Sequence, residues 1–196
     1  MKEYVLEAIS GNETGLQNSP GTSSYFRKYL GKMRGQKRST PLVGQVPLDV
    51  LVSFLGSFLG IGILGIFSVL YGKPLMVASF GASAVLIYSV PDAPLSQPRN
   101  VLGGHLISAV AGVITYALCG LTWWSVALGT ALAIVAMILT KTTHPPGGAT
   151  ALFAVLSRAT PIYILTPVLA GAVILVLVGM LVNNLSPNRS YPRYWL

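Results

Sequence analysis

The stretch TTHPPGGAT, residues 142–150, decides the fold because it begins a helix where a soluble protein would place a loop. Apolar segments lie on both sides of it. Proline is best tolerated in the first turn of a helix, where its missing N–H would be unpaired anyway. The glycines that follow leave backbone N–H groups open to close approach. The stretch therefore predicts a short helix that begins inside a membrane.

The composition indicates an integral membrane protein. Of 196 residues, 53% are hydrophobic and only 9% are charged, whereas a soluble domain has about a quarter charged residues. Seven of the thirteen Lys and Arg residues fall in the first 38 positions. The positive-inside rule places such a segment in the cytoplasm, and we expect no nucleic-acid partner. The first 40 residues also lack the apolar core of a signal peptide.

Three regions are predicted along the chain. Residues 1–47 form a polar, basic tail, in which apolar residues recur at helical spacing over 24–34. That spacing is typical of an amphipathic helix on a membrane surface, and a solvated basic tail is the alternative. Residues 48–184 form the transmembrane domain. Residues 185–196 are too few and too polar to span a membrane.

Six apolar segments make up the predicted membrane domain, at about Leu48–Tyr71, Pro74–Val90, Asn100–Cys119, Trp123–Thr140, Pro145–Ser157 and Pro161–Val182. A helix needs about 20 residues to cross the hydrocarbon core. The first, third and sixth segments are long enough, and the fourth is just adequate. The second and fifth are short, and each contains a glycine-rich start.

The two glycine-rich starts belong to a predicted internal repeat. Residues 81–86 align with residues 147–152, which gives repeat 1 over about 48–119 and repeat 2 over about 121–183. Each repeat is a long helix, a short broken helix and a long helix. The predicted fold is therefore an all-α membrane protein with six membrane segments and inverted repeats. The alternative is four spanning helices with two re-entrant segments.

Loop charges favour six crossings. In that arrangement both basic termini, Arg99 and Lys141 lie on the cytoplasmic side, and Lys73 and Arg158 lie outside. If the two short segments only dip into the membrane, all four loop charges lie outside. The first arrangement agrees better with the positive-inside rule. We therefore expect a multi-pass membrane protein with a cytoplasmic N-terminus.

The starts of the two short helices are predicted to bind a small anion, because unpaired N–H groups and the positive end of a helix dipole favour negative charge. The predicted substrate-binding residues are Ser79, Gly81, Ala82, Ser83, His144, Pro146, Gly147, Gly148, Ala149 and Thr150. Residues expected along a pathway are Lys141, His105, Arg99 and Asn100.

Structural roles stay open for several of these residues. His144 is expected either to donate hydrogen bonds to the anion, to cap the helix, or to take up a proton coupled to transport. Lys141 would supply a point charge or extend to the membrane surface. His105 would face the pathway or pair with another helix. Arg99 would attract anions or anchor its segment at the cytoplasmic side.

Enzyme chemistry finds little support in the sequence. The glutamates lie in the tail, and Asp49 and Asp92 lie at segment ends, where we expect them to pair with basic residues. Two histidines and one cysteine, Cys119, are too few for a stable metal site or a disulfide framework. We therefore expect no enzymatic activity, no metal and no cofactor.

Residues 144–151, HPPGGATA, resemble the HPP family of integral membrane proteins, named for that tripeptide. The likeness extends over about residues 47–182, and includes residues 80–84 and the stretch from Gln97 to His105. The family is described as having about four spanning helices, which favours the alternative with re-entrant segments.

The resemblance also implies a function. Members in cyanobacteria and chloroplasts are associated with nitrite transport, which implies carriage of nitrite or a similar anion by a carrier or channel in a bacterial or cyanobacterial plasma membrane. Six short segments make a thin bundle, so we expect a homo-oligomer in the lipid bilayer. The alternatives are a pathway for another small solute and a membrane partner protein that transports nothing.

Overall fold

The computed structural model describes residue 27, residues 46–72 and residues 76–195. The expected surface helix at 24–34, apart from Arg27, and Lys73 lie outside these ranges. Regular structure in the described ranges is helical. The six α-helices there are α1 (Pro47–Tyr71), α2 (Ala78–Ser89), α3 (Pro98–Cys119), α4 (Trp123–Leu139), α5 (Pro145–Leu156) and α6 (Ala170–Asn183). A 3-10 turn, Pro94–Ser96, precedes α3, and a π-helical segment, Ile164–Leu169, precedes α6.

Three helices in the described ranges are long and apolar enough to cross a membrane: Pro47–Leu70, Pro98–Cys119 and Ile164–Asn183. These correspond to the first, third and sixth predicted segments. The helices α2, α4 and α5 are apolar but have only 12, 17 and 12 residues. The prediction of an all-α, multi-pass membrane domain is confirmed, whereas six full crossings stay a prediction.

Local sequence explains where the helices begin. Proline occupies the first turn of α1, α3 and α5, at Pro47, Pro98 and Pro145. Its fixed φ suits that position and its missing N–H costs nothing there. The helix α4 begins instead with a capping box, in which Thr122 and Ser125 each accept a hydrogen bond from the other's backbone N–H.

The sixth predicted segment is broken near its start. Thr166 has extended backbone angles, φ −138° and ψ 122°, between the helical residues on either side. Pro167 causes this break, because a proline disfavours helical backbone at the residue before it. The start of α3 is built in the same way, with extended Gln97 followed by Pro98. The prediction of a continuous helix over Pro161–Val182 is therefore wrong at Thr166.

The two halves of the domain pack against each other reciprocally. The helix α3 packs on α4 and α5, and α6 packs on α1 and α2. The third helix of each predicted repeat thus contacts the first two helices of the other repeat.

The contacts of two glycines show the same reciprocal packing between the halves. A Cβ added to Gly112 would lie 2.6 Å from the Cβ of Ala154, and one added to Gly179 would lie 2.6 Å from Cγ2 of Ile87. Gly112 and Gly179 are 67 positions apart in the sequence, and so are Ile87 and Ala154. Small residues allow helices in lipid to approach this closely.

The C-terminal tail is fixed by Arg189. Its Nε lies 3.3 Å from Asp49 Oδ1, and its guanidinium donates to the Tyr88 carbonyl at 2.8 Å and to Ser53 Oγ at 3.0 Å. Asp49 therefore pairs with a basic residue, as expected. Asp92 does so too, through Arg193.

Tyr191 lies in a different environment from the one that its sequence position predicts. Its position near the C-terminus predicts an aromatic anchor at the membrane surface. In the structure the ring is buried, and its hydroxyl donates to the Ser96 carbonyl at 2.8 Å. Since Ser96 lies just before α3, the tail packs at the end of the bundle where α2 ends and α3 begins. Tyr194 and Trp195 remain exposed.

Replacing Gly112 with alanine should destabilise the domain. The new methyl group would lie 2.6 Å from the backbone oxygen of Ala151, which belongs to a helix and has little room to move. We expect a loss of about 1–3 kcal/mol, seen as a lower apparent melting temperature in detergent. Gly62→Ala is the matched control, because nothing lies within 4 Å of its added Cβ. Equal melting temperatures for the two variants would contradict the packing described.

The two arginine–aspartate pairs should differ in their effect on stability. Arg189→Gln leaves Asp49, only 18% exposed in its side chain, without its cation, and should cost on the order of 3 kcal/mol. Arg193→Gln breaks an exposed pair and should leave the melting temperature nearly unchanged. If both variants have the melting temperature of the wild-type protein, Arg189 does not hold the tail.

Candidate functional site

The first turns of the two short helices meet inside the bundle. Thr150 Oγ1 of α5 donates to Ser79 Oγ of α2 at 2.9 Å, and Ser83 Oγ of α2 lies 2.9 Å from Nε2 of His144, the N-cap of α5. The residue earlier in one helix contacts the residue later in the other, so α2 and α5 are antiparallel. The first turns of α2 and α5 consequently overlap side by side.

His105 of α3 joins these two helices. Its Nε2 lies 2.7 Å from Ser83 Oγ and its Nδ1 lies 2.8 Å from Thr150 Oγ1. The rings of Phe80 and His144 lie edge-on to it, at centroid distances of 5.3 and 4.9 Å. We call the five hydrogen-bonding side chains the polar cluster: Ser79, Ser83, His105, His144 and Thr150. Each is at most 2% exposed.

His144 has a defined proton arrangement at one nitrogen. Its Nδ1 lies 2.8 Å from the carbonyl oxygen of Leu95, which can only accept. Nδ1 therefore carries a hydrogen, and in the neutral ring Nε2 is an acceptor toward Ser83. The Leu95 carbonyl was not anticipated from the sequence, because an apolar residue gives no sign of a backbone contact.

The segment that leads into α5 is held against α3 by two glycines. A Cβ on Gly103 would lie 2.7 Å from Thr142 Cγ2, and one on Gly104 would lie 2.5 Å from the Cβ of His144. Asn100 donates to the Thr143 carbonyl at 2.9 Å. The absence of side chains at Gly103 and Gly104 thus allows this segment to pack against α3. The next residue, His105, places its imidazole next to the start of α5.

The start of α5 offers fewer backbone donors than the sequence predicted. Pro145 and Pro146 have no N–H, and the Gly147 N–H donates to the His144 carbonyl at 2.8 Å. A Cβ on Gly147 would lie 2.7 Å from Ser108 Oγ, so this glycine packs against α3. Hydroxyl and imidazole groups, rather than free amides, therefore dominate the junction in this conformation.

The remaining predicted residues lie outside the polar cluster. The predicted binding residues that are exposed are Gly81, Ala82 and Ala149, whereas Gly148 is half-buried and Pro146 is buried. Of the predicted pathway residues, Arg99 and Lys141 are exposed.

Lys141 and Arg99 lie together at one end of the bundle. Lys141 has φ 56° and follows the end of α4, where its N–H and that of Thr142 bond the last carbonyls of the helix. Arg99 Nη2 donates to the Thr140 carbonyl at 3.4 Å. Both residues complete a helix end and carry charge at the same surface.

The register between the two short helices differs by one residue from the sequence alignment. The alignment makes Ser83 equivalent to Ala149, whereas the reciprocal packing at an offset of 67 makes it equivalent to Thr150. Ser83 Oγ and Thr150 Oγ1 each donate to the carbonyl four residues earlier, at 3.2 and 3.4 Å. These hydroxyls are equivalent, and each contacts one nitrogen of His105.

Comparison with known proteins identifies the family. Residues 44–192 match the family model described as HPP, transmembrane region. The chain belongs to the HPP family. It is similar to two transmembrane proteins of Dictyostelium discoideum, each 40% identical, over 183 and 185 residues.

The chain spans about 60% of the length of these HPP-family relatives. Each alignment covers 87% of this chain, but 58% of one relative and 63% of the other. The descriptions of the family and of the relatives name no substrate. No solved structure matches the chain.

Removing the Thr150 hydroxyl should destabilise the domain. Thr150→Val keeps the side-chain shape but leaves His105 Nδ1 and Ser79 Oγ without this buried partner, at a cost of about 1–3 kcal/mol. Thr130→Val is the control, because the Thr130 hydroxyl bonds only the Val126 carbonyl of its own helix. Thermal melting of both variants in one detergent checks this, and an equal, small effect would contradict the bridge.

Proposed function

We propose that this HPP-family protein carries a small monovalent anion across the membrane by way of the polar cluster. One observation carries the proposal: the N-termini of α2 and α5 meet at buried hydroxyls and imidazoles, inside an apolar bundle. Polar groups at membrane depth are costly and are typical of a substrate pathway. Both helix N-termini lie close to this cluster, and the positive end of a helix dipole favours negative charge nearby.

A six-crossing architecture with inverted halves is part of this proposal. The exchanged packing of the halves supports it, since a two-fold relation would give these reciprocal contacts. Broken helices that meet near the midplane of inverted repeats occur in many carriers. Such a pair of halves can open the same site to either side of the membrane.

The distribution of charge supports a cytoplasmic location for one end of the bundle. Arg99, Lys141 and the Arg189 tail lie at the same end. The helix α5 runs parallel to α3, since Gly147 lies beside Gly104 and Ala154 beside Gly112. Arg158, which follows α5, therefore lies toward the opposite end. The more basic end is the cytoplasmic one under the positive-inside rule.

An anion would bind by replacing hydrogen bonds within the polar cluster. Among the described residues, every buried side-chain nitrogen or oxygen has a partner, so this conformation is closed. An anion that separated the two short helices would accept from the hydroxyls of Ser83 and Thr150. Because new bonds replace old ones, binding would be weak enough to permit release, as transport requires.

Nitrite is the substrate we propose first. The reason is the resemblance to the HPP branch associated with nitrite transport. Nitrite is also small, flat and monovalent, so that two or three donors from the junction would replace much of its hydration. Nitrate and formate share that charge and approximate size, and competition between the three anions defines the preference.

A small neutral solute is the second candidate. It is favoured by the absence of Lys and Arg from the polar cluster and by the Gly147 N–H, which is already bonded. Hydroxyls and neutral imidazoles can exchange hydrogen bonds with an uncharged polar molecule equally well. Inhibition of uptake by urea but not by nitrate would favour this candidate.

Purified protein in liposomes should take up nitrite faster than empty vesicles do. We expect Ser83→Ala to lower this uptake by about tenfold or more, because it removes the hydroxyl that contacts both histidines. Thr130→Ala, a hydroxyl loss outside the polar cluster, should retain wild-type uptake. The folded fraction of each variant is checked by thermal melting.

Two results would contradict the proposal. Wild-type liposomes that take up no anion above the empty-vesicle rate would remove the anion-transport function. Normal nitrite uptake by folded Ser83→Ala would place the pathway elsewhere.

A further inference from the structure

The polar cluster forms a chain of hydrogen bonds that contains both histidines of the protein, with side contacts from Ser83 and Thr150 to the carbonyls four residues earlier. It runs from Ser79 through Thr150, His105 and Ser83 to His144, and ends at the Leu95 carbonyl. Every contact along it measures between 2.7 and 2.9 Å. These distances are those of well-formed hydrogen bonds.

The donors and acceptors can be assigned from one end. The Thr150 hydroxyl donates its single hydrogen to Ser79 Oγ at 2.9 Å or to the Pro146 carbonyl at 3.4 Å, and in either case His105 Nδ1 donates to Thr150. His144 Nδ1 donates to Leu95. With both rings neutral, each Nε2 is then a bare acceptor, and both face Ser83 Oγ, which has one hydrogen. Both nitrogens lie within hydrogen-bond distance of this hydroxyl, but its one hydrogen can serve only one of them at a time.

One added proton completes this arrangement. His105 Nε2–H then donates to Ser83, and the Ser83 hydroxyl donates to His144 Nε2. The proton can leave again from Nε2 of His105, which restores the neutral arrangement. The same heavy-atom positions therefore accommodate the polar cluster with and without an extra proton.

Among the residues that the structure describes, none supplies a counter-ion next to the added charge. The acidic residues of the described ranges, Asp49 and Asp92, pair with Arg189 and Arg193 in contacts with the tail. The other groups next to the histidines are uncharged: the Phe80 ring, and the Tyr163 hydroxyl on the Thr150 carbonyl at 3.4 Å. The N-termini of α2 and α5 also lie close to the site, so a proton alone is unfavourable.

We propose that the His105–Ser83–His144 chain binds one proton together with each anion, so that the protein is a proton–anion symporter. This inference rests on the proposed anion transport. An anion supplies the counter-charge that the buried imidazolium lacks, and the proton supplies the additional N–H donor that the anion needs. The proton enters from water on one side and leaves to water on the other, without any other reactant.

Nitrogen NMR of the two histidines tests proton binding directly. Protein labelled with ¹⁵N-histidine in lipid nanodiscs has signals only from His105 and His144, because the chain has no others. Without anion, each ring should show one bare and one protonated nitrogen. Saturating nitrite should remove the bare-nitrogen signal of one ring. Nitrite that shifts the amide signals of α2 and α5 but leaves both bare nitrogens in place would overturn the proposal.

Flux measurements separate this inference from the proposed function. In liposomes with a trapped pH dye, wild-type uptake of nitrite or nitrate should acidify the interior by one proton per anion, after subtraction of empty vesicles. A membrane potential set with K⁺ and valinomycin should not change the rate. Anion uptake that follows the potential without acidification would refute symport but retain anion transport. No uptake at all would refute both.

A histidine variant completes the test. His105→Gln keeps an amide N–H near the Nε2 position toward Ser83 but cannot take up a proton. We expect its residual uptake to lose the accompanying acidification and to become sensitive to the potential. Thr130→Ala should keep wild-type coupling. Unchanged acidification per anion in folded His105→Gln would contradict a proton site at this histidine.

Discussion

The hydrogen bonds from His105 to Ser83 and Thr150 are the constraint on which the membrane domain depends. They attach the starts of two short helices to one long helix, at a place where lipid and apolar side chains offer no alternative partners. A buried polar group without a partner costs more than a typical hydrogen bond gains, so the network is stable only when complete. This requirement fixes the depth at which α2 and α5 begin. It also brings five buried polar side chains together in one position.

Close glycine contacts make that attachment possible. Gly103 and Gly104 admit the segment before α5, and Gly112 and Gly179 bring the third helix of each half against the short helix of the other. Hydrophobic burial does not drive helices together in lipid, so such close packing must supply the association. The reciprocal contacts place both helix starts symmetrically about His105. The histidine itself has no equivalent in the second half, where Ala172 occupies the corresponding position.

Much of this architecture could be predicted from the sequence, because helix starts have local chemical signals. The proline-first start of α5 at Pro145 was identified from residue types alone. The break at Thr166 was missed, since an apolar run with one proline resembles a continuous helix. The sequence alignment gives Ala149 as the equivalent of Ser83 in the second repeat, whereas the packing of the two halves gives Thr150. The alignment is wrong by one residue because apolar helices carry little information on register. The burial of Tyr191 depends on a long-range contact that no local pattern reports.

The most direct measurement is a structure of the protein in lipid with saturating nitrite. The account predicts density for the anion between the first turns of α2 and α5, within hydrogen-bond distance of the hydroxyls of Ser83 and Thr150. It also predicts that the contacts of His105 with these hydroxyls lengthen. Nitrite bound at another place, with all contacts of the polar cluster unchanged, would contradict it.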